Sequence, residues 1–378
     1  MVTMKRVFAG AILILVLFPA FSHAEVNAVG DTQTYQKARV INVLDQKTAI
    51  IPGTGTPAQT QTLQAEILDG PNTGTTVTFE NDYPVQLEKG GTFYARHITS
   101  TLDGTDMWSV ADPYRLPVLA ILAVAFVALL FLFGGIQGVR GFTSLGGSIL
   151  LIFYVLIPGI YSGYSPILVS IGVASLIVIV GSYITHGFNR ATSAAILGMI
   201  STVLVTGAAA YWVVHAAHLS GYTGDEQVYL NFDTHGGIDM VGLLFGGIMI
   251  GLLGVLYDIA IGQAIAVEEL FSAGAHLGHP EVYRRAIRIG REHIGALVNT
   301  LAIAYVGASL PLLLLIQSSD TGILFMLNSE IFATEIVRIL IGSIGLILGV
   351  PITTLIATYM LAGQPHAGHA HEGHRHHH

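Results

Sequence analysis

The residues best able to do chemistry in this sequence are acidic side chains that follow a long apolar run. Asp258 ends the run that begins near residue 238, and Glu268 and Glu269 follow about three helical turns later. Burying a charge in hydrocarbon costs several kcal/mol, so such residues are typical of ion and substrate pathways. We therefore expect Asp258 to be a titrating or cation-binding group and Glu268 or Glu269 to mark the inner mouth of a path. The alternative is an Asp258 that lies at the membrane surface among headgroups.

A second polar interruption lies in the next long apolar run, where Asn299 and Thr300 are adjacent. An Asn inside a bilayer needs a hydrogen-bond partner. Asp258 or Tyr257 could provide one, because all these residues lie near the same end of their runs. The alternative is a polar contact that only fixes how the helices pack.

Two further sets of ionisable residues are candidates for other roles. Glu335 and Arg338 are spaced i,i+3, so on a helix they form an ion pair on one face, which indicates a structural role. The last residues are rich in histidine, and His366, His369, His371 and His374 form a candidate site for a divalent metal ion. The alternative for this tail is that it has no metal-binding role.

The sequence contains no arrangement of residues typical of an enzyme. Cysteine is absent, which excludes disulfides, thiolate metal sites and cysteine nucleophiles. No phosphate-binding loop, HExxH zinc motif or nucleophile elbow is present. We therefore expect no enzymatic activity, no bound cofactor and, without a basic run outside the apolar segments, no nucleic-acid partner.

The composition places these residues in a membrane protein. Hydrophobic residues make up 52% of the chain and charged residues only 11%, whereas a soluble domain has about 25% charged residues. The mean hydropathy is +0.65. The lipid bilayer is thus the first partner that the sequence predicts.

The N-terminal part of the chain has a different character. Residues 1–24 combine Lys5 and Arg6 with an apolar run and a small-residue ending, the order of a cleaved export signal, although an uncleaved anchor is the alternative. Residues 25–112 alternate apolar and polar positions between Gly-, Pro- and Asp-rich turns. This pattern predicts a small extracytoplasmic β-rich domain, closed as an OB-like or SH3-like barrel.

Residues 113–361 contain runs long enough to cross a bilayer, which needs about 20 apolar residues. We predict seven transmembrane helices, at 115–134, 144–161, 166–185, 192–214, 238–258, 295–317 and 333–361. A basic amphipathic helix at 280–293 is expected to lie on the cytoplasmic membrane surface, and residues 259–272 either extend the fifth helix or turn back into the bilayer. The fold class is thus an α-helical polytopic membrane protein with an N-terminal β-domain.

The charges of the loops predict the orientation. The predicted outer loops 162–165, 215–237 and 318–332 contain no Lys or Arg, whereas the inner loops contain several arginines: Arg140, Arg190, Arg284, Arg285, Arg288 and Arg291. Positive charge is enriched on the cytoplasmic side. We expect a bacterial inner (plasma) membrane location, with residues 25–112 outside and the His-rich tail 362–378 in the cytoplasm.

Several motifs together resemble the YibE/F family of bacterial multi-pass membrane proteins, from about Arg39 to Leu361. They are Asp112-Pro-Tyr-Arg115, Gly134-Gly-Ile-Gln-Gly-Val-Arg140-Gly, Leu156-Ile-Pro158-Gly-Ile-Tyr-Ser-Gly163, Gly254-Val-Leu-Tyr-Asp258-Ile-Ala-Ile and Ile294-Gly-Ala-Leu-Val-Asn299-Thr-Leu-Ala-Ile-Ala-Tyr305. The chain departs from the family pattern at Gly262-Gln263, where a serine-rich stretch is expected. The resemblance implies a membrane protein and agrees with Asp258, Glu269 and Asn299 as positions to test.

These observations favour a transporter or channel for a small solute or ion, proton- or cation-coupled. The alternative is a non-transporting scaffold that presents the β-domain to a protein partner outside the cytoplasm. Flux of a solute or ion through the purified chain would favour the transporter. Co-purification with a specific partner would favour the scaffold.

Overall fold

A computed structural model describes residues 32–50, 57–100, 105–274, 277–318 and 321–362. The predicted signal, residues 1–24, and the four candidate metal-binding histidines of the tail lie outside these residues. The described chain forms two compact units, which divide between Phe133 and Gly134.

The first unit contains a closed five-stranded barrel. Its strands are β1 (Thr32–Ile50), β2 (Pro57–Ile67), β3 (Thr76–Asn81), β4 (Thr92–Thr99) and β5 (Asp106–Pro113). They are arranged in the order β1-β2-β3-β5-β4, with β1 paired to β4 and a parallel β3–β5 contact. The prediction of a small N-terminal β-domain is confirmed.

Period-two alternation builds the interior of the barrel. Residues 38 and 40 of β1, 63, 65 and 67 of β2, and 93 and 95 of β4 are buried, whereas their neighbours along each strand point outward. Phe79 packs edge-on against Phe93, with ring centroids 5.2 Å apart. β1 has 19 residues and pairs with both β2 and β4, and register shifts near Val40 and Val43 let it bend between them.

The helices are α1 (Leu116–Leu151), a π-helical turn (Ile152–Leu156), α2 (Ile157–Tyr161), α3 (Pro166–His186), α4 (Arg190–Ala216), α5 (Asp225–Asp233), α6 (Met240–Ala273), α7 (His279–Ala308), α8 (Leu310–Ser318), α9 (Ile323–Asn328) and α10 (Glu330–Leu361). Among the described residues, five helical runs are long and apolar enough to span a membrane. The bent pair of α7 and α8 makes a sixth if it is one span.

The count of seven helices stays a prediction. Residues 116–161 form one helical run, although residues 135–143 are predicted as a loop. The backbone of Gly135, at φ 52° and ψ −135°, is not helical, so two helices meet there at a kink. The structure therefore divides the run directly after the predicted first span, but with a kink in place of the predicted loop.

Two other segments continue the long helices beside them. Residues 259–272 extend α6 as far as Ala273, which is the first of the two expected alternatives. The basic segment 280–293 is not a separate surface helix, because α7 runs without a break from His279 to Ala308 and buries Val282, Ala286 and Gly290. The helix axis then bends by 69° between α7 and α8. Pro311 at the start of α8 lacks the N–H that a continuous helix would use.

Candidate functional site

The core of the helical unit is a packed interface of α4, α6 and α10 that contains a line of buried polar side chains. We call it the threonine seam. Its members are Thr202 and Thr206 on α4, Gln263 on α6, and Thr353, Thr354 and Thr358 on α10, each at most 5% exposed. Thr202 and Thr206 are four residues apart on α4, as are Thr354 and Thr358 on α10, so each pair shares one face of its helix. Thr353 lies against Gly198 of α4, whereas Thr354 contacts Gln263 of α6.

Glycines opposite the threonines allow this close approach. An ideal Cβ at Gly198 would overlap Thr353, and one at Gly345 would lie 3.0 Å from the Thr206 methyl group. A Cβ at Gly349 would lie 3.2 Å from Leu256. Helix backbones therefore meet through small residues, as is common inside membranes.

Gln263 is the member of the seam with a side-chain amide, and this amide makes hydrogen bonds to two other helices. Its Nε2 donates to the carbonyl oxygen of Ala286 on α7 at 2.9 Å and to Thr354 Oγ1 at 2.7 Å. One side chain thus joins α6, α7 and α10. It is also the residue at which the chain departs from the expected serine-rich pattern.

The hydroxyls of the seam differ in how they are satisfied. Thr202 and Thr354 donate to the carbonyl oxygens of Gly198 and Val350, four residues earlier. By contrast, Thr206 Oγ1 and Thr353 Oγ1 are buried without a hydrogen-bond partner in the described chain. Unpaired buried hydroxyls cost free energy. Both of these threonines are packed closely against a glycine of the neighbouring helix.

A cavity of about 260 Å³ lies between the end of α3, the start of α4 and the second half of α6, and both an acid and an imidazole line it. Its polar lining comes from His186 at the end of α3, Asn189 and Thr192 at the start of α4, and Glu268 on α6. Asn189 begins α4 as its N-cap, because its side chain accepts from the backbone N–H of Thr192 at 2.6 Å. We call this space the Glu268 cavity.

A second cavity, of about 340 Å³, lies towards the other end of α6. Its polar lining includes Ser170, Thr223, Gln227 and Arg338, beside Gly246 and Gly247. Arg338 donates to Glu335 at 2.7 Å on the same helix, so the cavity contains a cation that is already paired. Gly246 and Glu268 are separated by roughly 33 Å of α-helix at 1.5 Å per residue, with the seam between them.

The structure separates the sequence-predicted acids into two environments. Glu268 is partly buried and lines the cavity, whereas Asp258 and Glu269 are exposed on the outer face of α6. Asn299 and Thr300 are also exposed, on α7, and Thr300 donates only to Ala296 of its own helix. No hydrogen bond joins Asp258 to Asn299 or Tyr257 in the part of the chain that the structure describes.

Residues of the seam are those that sequence reasoning missed. Each lies in an apolar run and carries no charge, so the search for ionisable groups passes over it. The signal available was the repetition of threonine at four-residue spacing, as in Thr202–Thr206 and Thr354–Thr358. Among the described residues there is no cluster of three His, Asp or Glu side chains that could hold a metal ion.

The long apolar helices, with a polar seam inside and a β-barrel before them, define a membrane-embedded helical protein. A family model described as YibE/F-like protein matches residues 122–363. The chain therefore belongs to the YibE/F-like family, as its motifs indicate. The match covers the helical region but not the barrel, although the resemblance was drawn from about Arg39. No curated protein and no solved structure matched the chain.

Proposed function

We propose that the helical unit is a transporter or channel for a small solute or ion, and that its path follows the threonine seam. The observation that carries this proposal is the seam itself, a line of buried hydroxyls and one amide inside apolar helices. Two of these hydroxyls, Thr206 Oγ1 and Thr353 Oγ1, have no hydrogen-bond partner in the described chain, and an unpaired polar group is costly in an apolar interior.

The two cavities support a path with access from both ends. The Glu268 cavity and the Arg338-lined cavity lie near opposite ends of α6, and the residues that line them are not members of the seam. Between them the seam is closed by packing of glycine against threonine. Passage would thus require α4 to separate from α10, which favours a gated transporter over an open pore.

Of the two residues expected at the inner mouth we choose Glu268, and we also move the titrating role there from Asp258. Glu268 lines a cavity between α3, α4 and α6, whereas Asp258 and Glu269 face outward. The orientation that we propose follows the loop charges: the Glu268 cavity faces the cytoplasm, the barrel lies outside, and the membrane is the bacterial inner membrane. Proton or cation coupling would act through this carboxylate.

The test is ion and proton flux into proteoliposomes that contain the purified chain. Glu268→Gln should lower flux at least about tenfold, since it removes the only carboxylate that we place on the path. Glu269→Gln is the matched control, because it changes the adjacent residue on the exposed face, and Asp258→Asn is a second control. Both controls should retain flux.

Transport would be contradicted if proteoliposomes that contain the chain showed no flux of protons or of any member of a panel of cations, anions and small solutes. Equal loss of flux in Glu268→Gln and Glu269→Gln would support transport but would contradict a path through Glu268 and the seam. Folding of each variant is checked by its elution from a sizing column.

A second candidate function is a scaffold that presents the β-domain to a protein partner. The observation in its favour is that the barrel belongs to a compact unit distinct from the helical one. It predicts tight vesicles together with specific co-purification of a partner that depends on residues 32–113. Metal capture by the histidines of the tail remains a separate proposal, tested by zinc binding to the full chain with and without His366, His369, His371 and His374.

A further inference from the structure

Charge is divided unequally around the barrel. The outward positions of β1 and β4 carry Lys37, Arg39 and Arg96, and no acidic side chain projects from the same stretch of either strand. β2 and β3 contain no Lys or Arg, and their charged residues are Glu66 and Glu80. The outward positions of β1 and β4 are therefore mainly basic, although Glu66 of β2 lies opposite Arg39 and Asp69 lies beside Lys37.

The basic side is also aromatic. Register pairs Tyr35 with Arg96 and Lys37 with Tyr94 across β1 and β4. The Lys37 ammonium lies 4.7 Å from the centre of the Tyr114 ring, and Tyr94 packs edge-on against the same ring at 5.6 Å. We call the set Lys37, Arg39, Tyr94, Arg96, Tyr114 and Arg115 the basic–aromatic face.

This face is where the chain leaves the barrel for the membrane. The backbone N–H of Tyr114 donates to the carbonyl oxygen of Thr92 at 3.0 Å, which fixes the exit beside the start of β4. Arg115 donates to Asp112 at 2.7 Å and to the Tyr83 hydroxyl at 3.1 Å. The next residue, Leu116, begins a helix whose most apolar window has a mean hydropathy of 3.0.

That continuity fixes the depth of the face. If the apolar helix starts at Leu116, then Arg115 and Tyr114 lie at the level of the lipid headgroups. Lys37 and Tyr94 contact Tyr114 directly, so they lie at or close to the same level. Tyrosines with Lys and Arg are the side chains that proteins place at this boundary.

We propose that the basic–aromatic face binds the headgroups of anionic lipids and so docks the barrel on the bilayer surface. Arg39 has no hydrogen-bond or ion-pair partner in the described chain, and it is exposed beside Lys37 on β1. Phosphate oxygens complement these cations, while the tyrosine rings lie among the glycerol and headgroup atoms. This inference does not depend on whether the helical unit transports anything.

A lipid surface fits this face better than a soluble protein partner because the face cannot move far from the membrane. Its own residues Tyr114 and Arg115 are joined directly to the apolar helix. A soluble partner would have to fit between the face and the headgroups. Thr78 on β3 is exposed and is not part of the basic–aromatic face, so it serves as the internal control.

The absence of cysteine makes the test direct, because single cysteines can be labelled without a background. The full chain, with an environment-sensitive fluorophore at Thr92→Cys on the basic–aromatic side or at Thr78→Cys on β3, is placed in nanodiscs. Each disc contains lipids with a nitroxide quencher on the headgroup, in a zwitterionic or a partly anionic bilayer.

We expect quenching at position 92 to rise about twofold on going from zwitterionic to anionic lipid, and quenching at position 78 to stay unchanged. The rise should disappear in Lys37→Glu/Arg39→Glu/Arg96→Glu and in about 0.5 M salt, which screens surface charge. If the charge reversal prevents folding, judged by near-ultraviolet circular dichroism, the Gln triple substitution takes its place.

Quenching at position 92 that is equal in the two bilayers would overturn the proposal, because mere closeness to the membrane does not depend on lipid charge. A rise that survives the charge reversal would overturn it as well. A face that binds a soluble protein instead would give the first of these two results.

Discussion

At the scale of single residues, the neighbouring acids of α6 show how little the residue type alone decides. Glu268 and Glu269 are chemically identical and adjacent, yet one lines a cavity and the other faces outward. Asp258 lies three turns before Glu269 and shares its exposed face, since 11 residues are close to three full turns of helix. An acid in an apolar run was a sound signal, but it could not indicate which face of the helix is buried.

Gln263 provides a prediction at this scale. Gln263→Leu removes the donor to Ala286 and Thr354, and we expect the free energy of unfolding to fall by roughly 0.5–2 kcal/mol, the range of interhelical hydrogen bonds in membranes. The measurement is the thermal midpoint of the purified chain in detergent. Thr300→Val is the control, because that exposed hydroxyl contacts only its own helix; a midpoint that falls equally in both variants would contradict the assignment.

A second residue-scale prediction concerns acid and the barrel. Hydrogen bonds from Arg115 and then Tyr83 hold the pKa of Asp112 below its usual range. A carboxylate whose pKa is lowered by folding stabilises the fold above its unfolded pKa, and that contribution is lost as the pH falls through the folded pKa. The loss should begin near pH 4, about the unfolded value for Asp.

The measurement is the urea midpoint of the barrel between about pH 6 and pH 3, followed by Trp108 fluorescence in a Trp212→Phe background. Asp112→Asn should show a smaller decrease over the same pH range. An identical acid profile in the two proteins would show that this carboxylate is not linked to folding. The ion pair between Arg115 and Asp112 would then contribute nothing to the free energy of unfolding.

At the scale of elements, glycines divide into those that bring helices together and those that face open space. An added Cβ at Gly198 would overlap Thr353, whereas nothing lies within 4 Å of a Cβ at Gly262. Gly198→Ala should therefore destabilise the chain by about 1–3 kcal/mol, because α4 and α10 must move apart. Gly262→Ala should be neutral or stabilise the chain by up to about 1 kcal/mol, because Ala is the better helix former.

Thermal midpoints of the two glycine variants, measured side by side in the same detergent, test this division. Equal destabilisation would mean that the outer face of α6 is also packed in the purified protein. That outcome would point to a contact made by another molecule, since the described chain leaves Gly262 open.

At the scale of the whole molecule, the predicted orientation can be tested with two single cysteines at opposite ends of α3. Tyr164 and Phe188 are both well exposed, at 68% and 87%. Tyr164→Cys should react with a membrane-impermeant maleimide in intact spheroplasts, because the arginine-free loops are placed outside. Phe188→Cys should react only after lysis. The opposite pattern would invert the orientation and place the Glu268 cavity outside.

The sequence by itself determined the class of this protein and the division into a β-domain and a helical region. Hydropathy and period-two alternation are local properties, so the barrel and the apolar helices could be predicted from consecutive residues, and the family motifs were sufficient to indicate the YibE/F-like family. Local reasoning also gave the i,i+3 spacing of Glu335 and Arg338, whose side chains lie within 2.7 Å.

Only the tertiary structure decided which polar residues are brought together. Gln263 and Thr354 are far apart along the chain, and no periodicity predicts that α6 and α10 place them 2.7 Å apart. The same holds for the basic segment 280–293. Its amphipathic pattern indicates that one face is buried, but the pattern does not show whether lipid covers that face or whether the helices α6 and α10 do. The physical reason is that an apolar stripe specifies that a helix must be covered, while the choice of cover depends on the shapes of all the helices that compete for it.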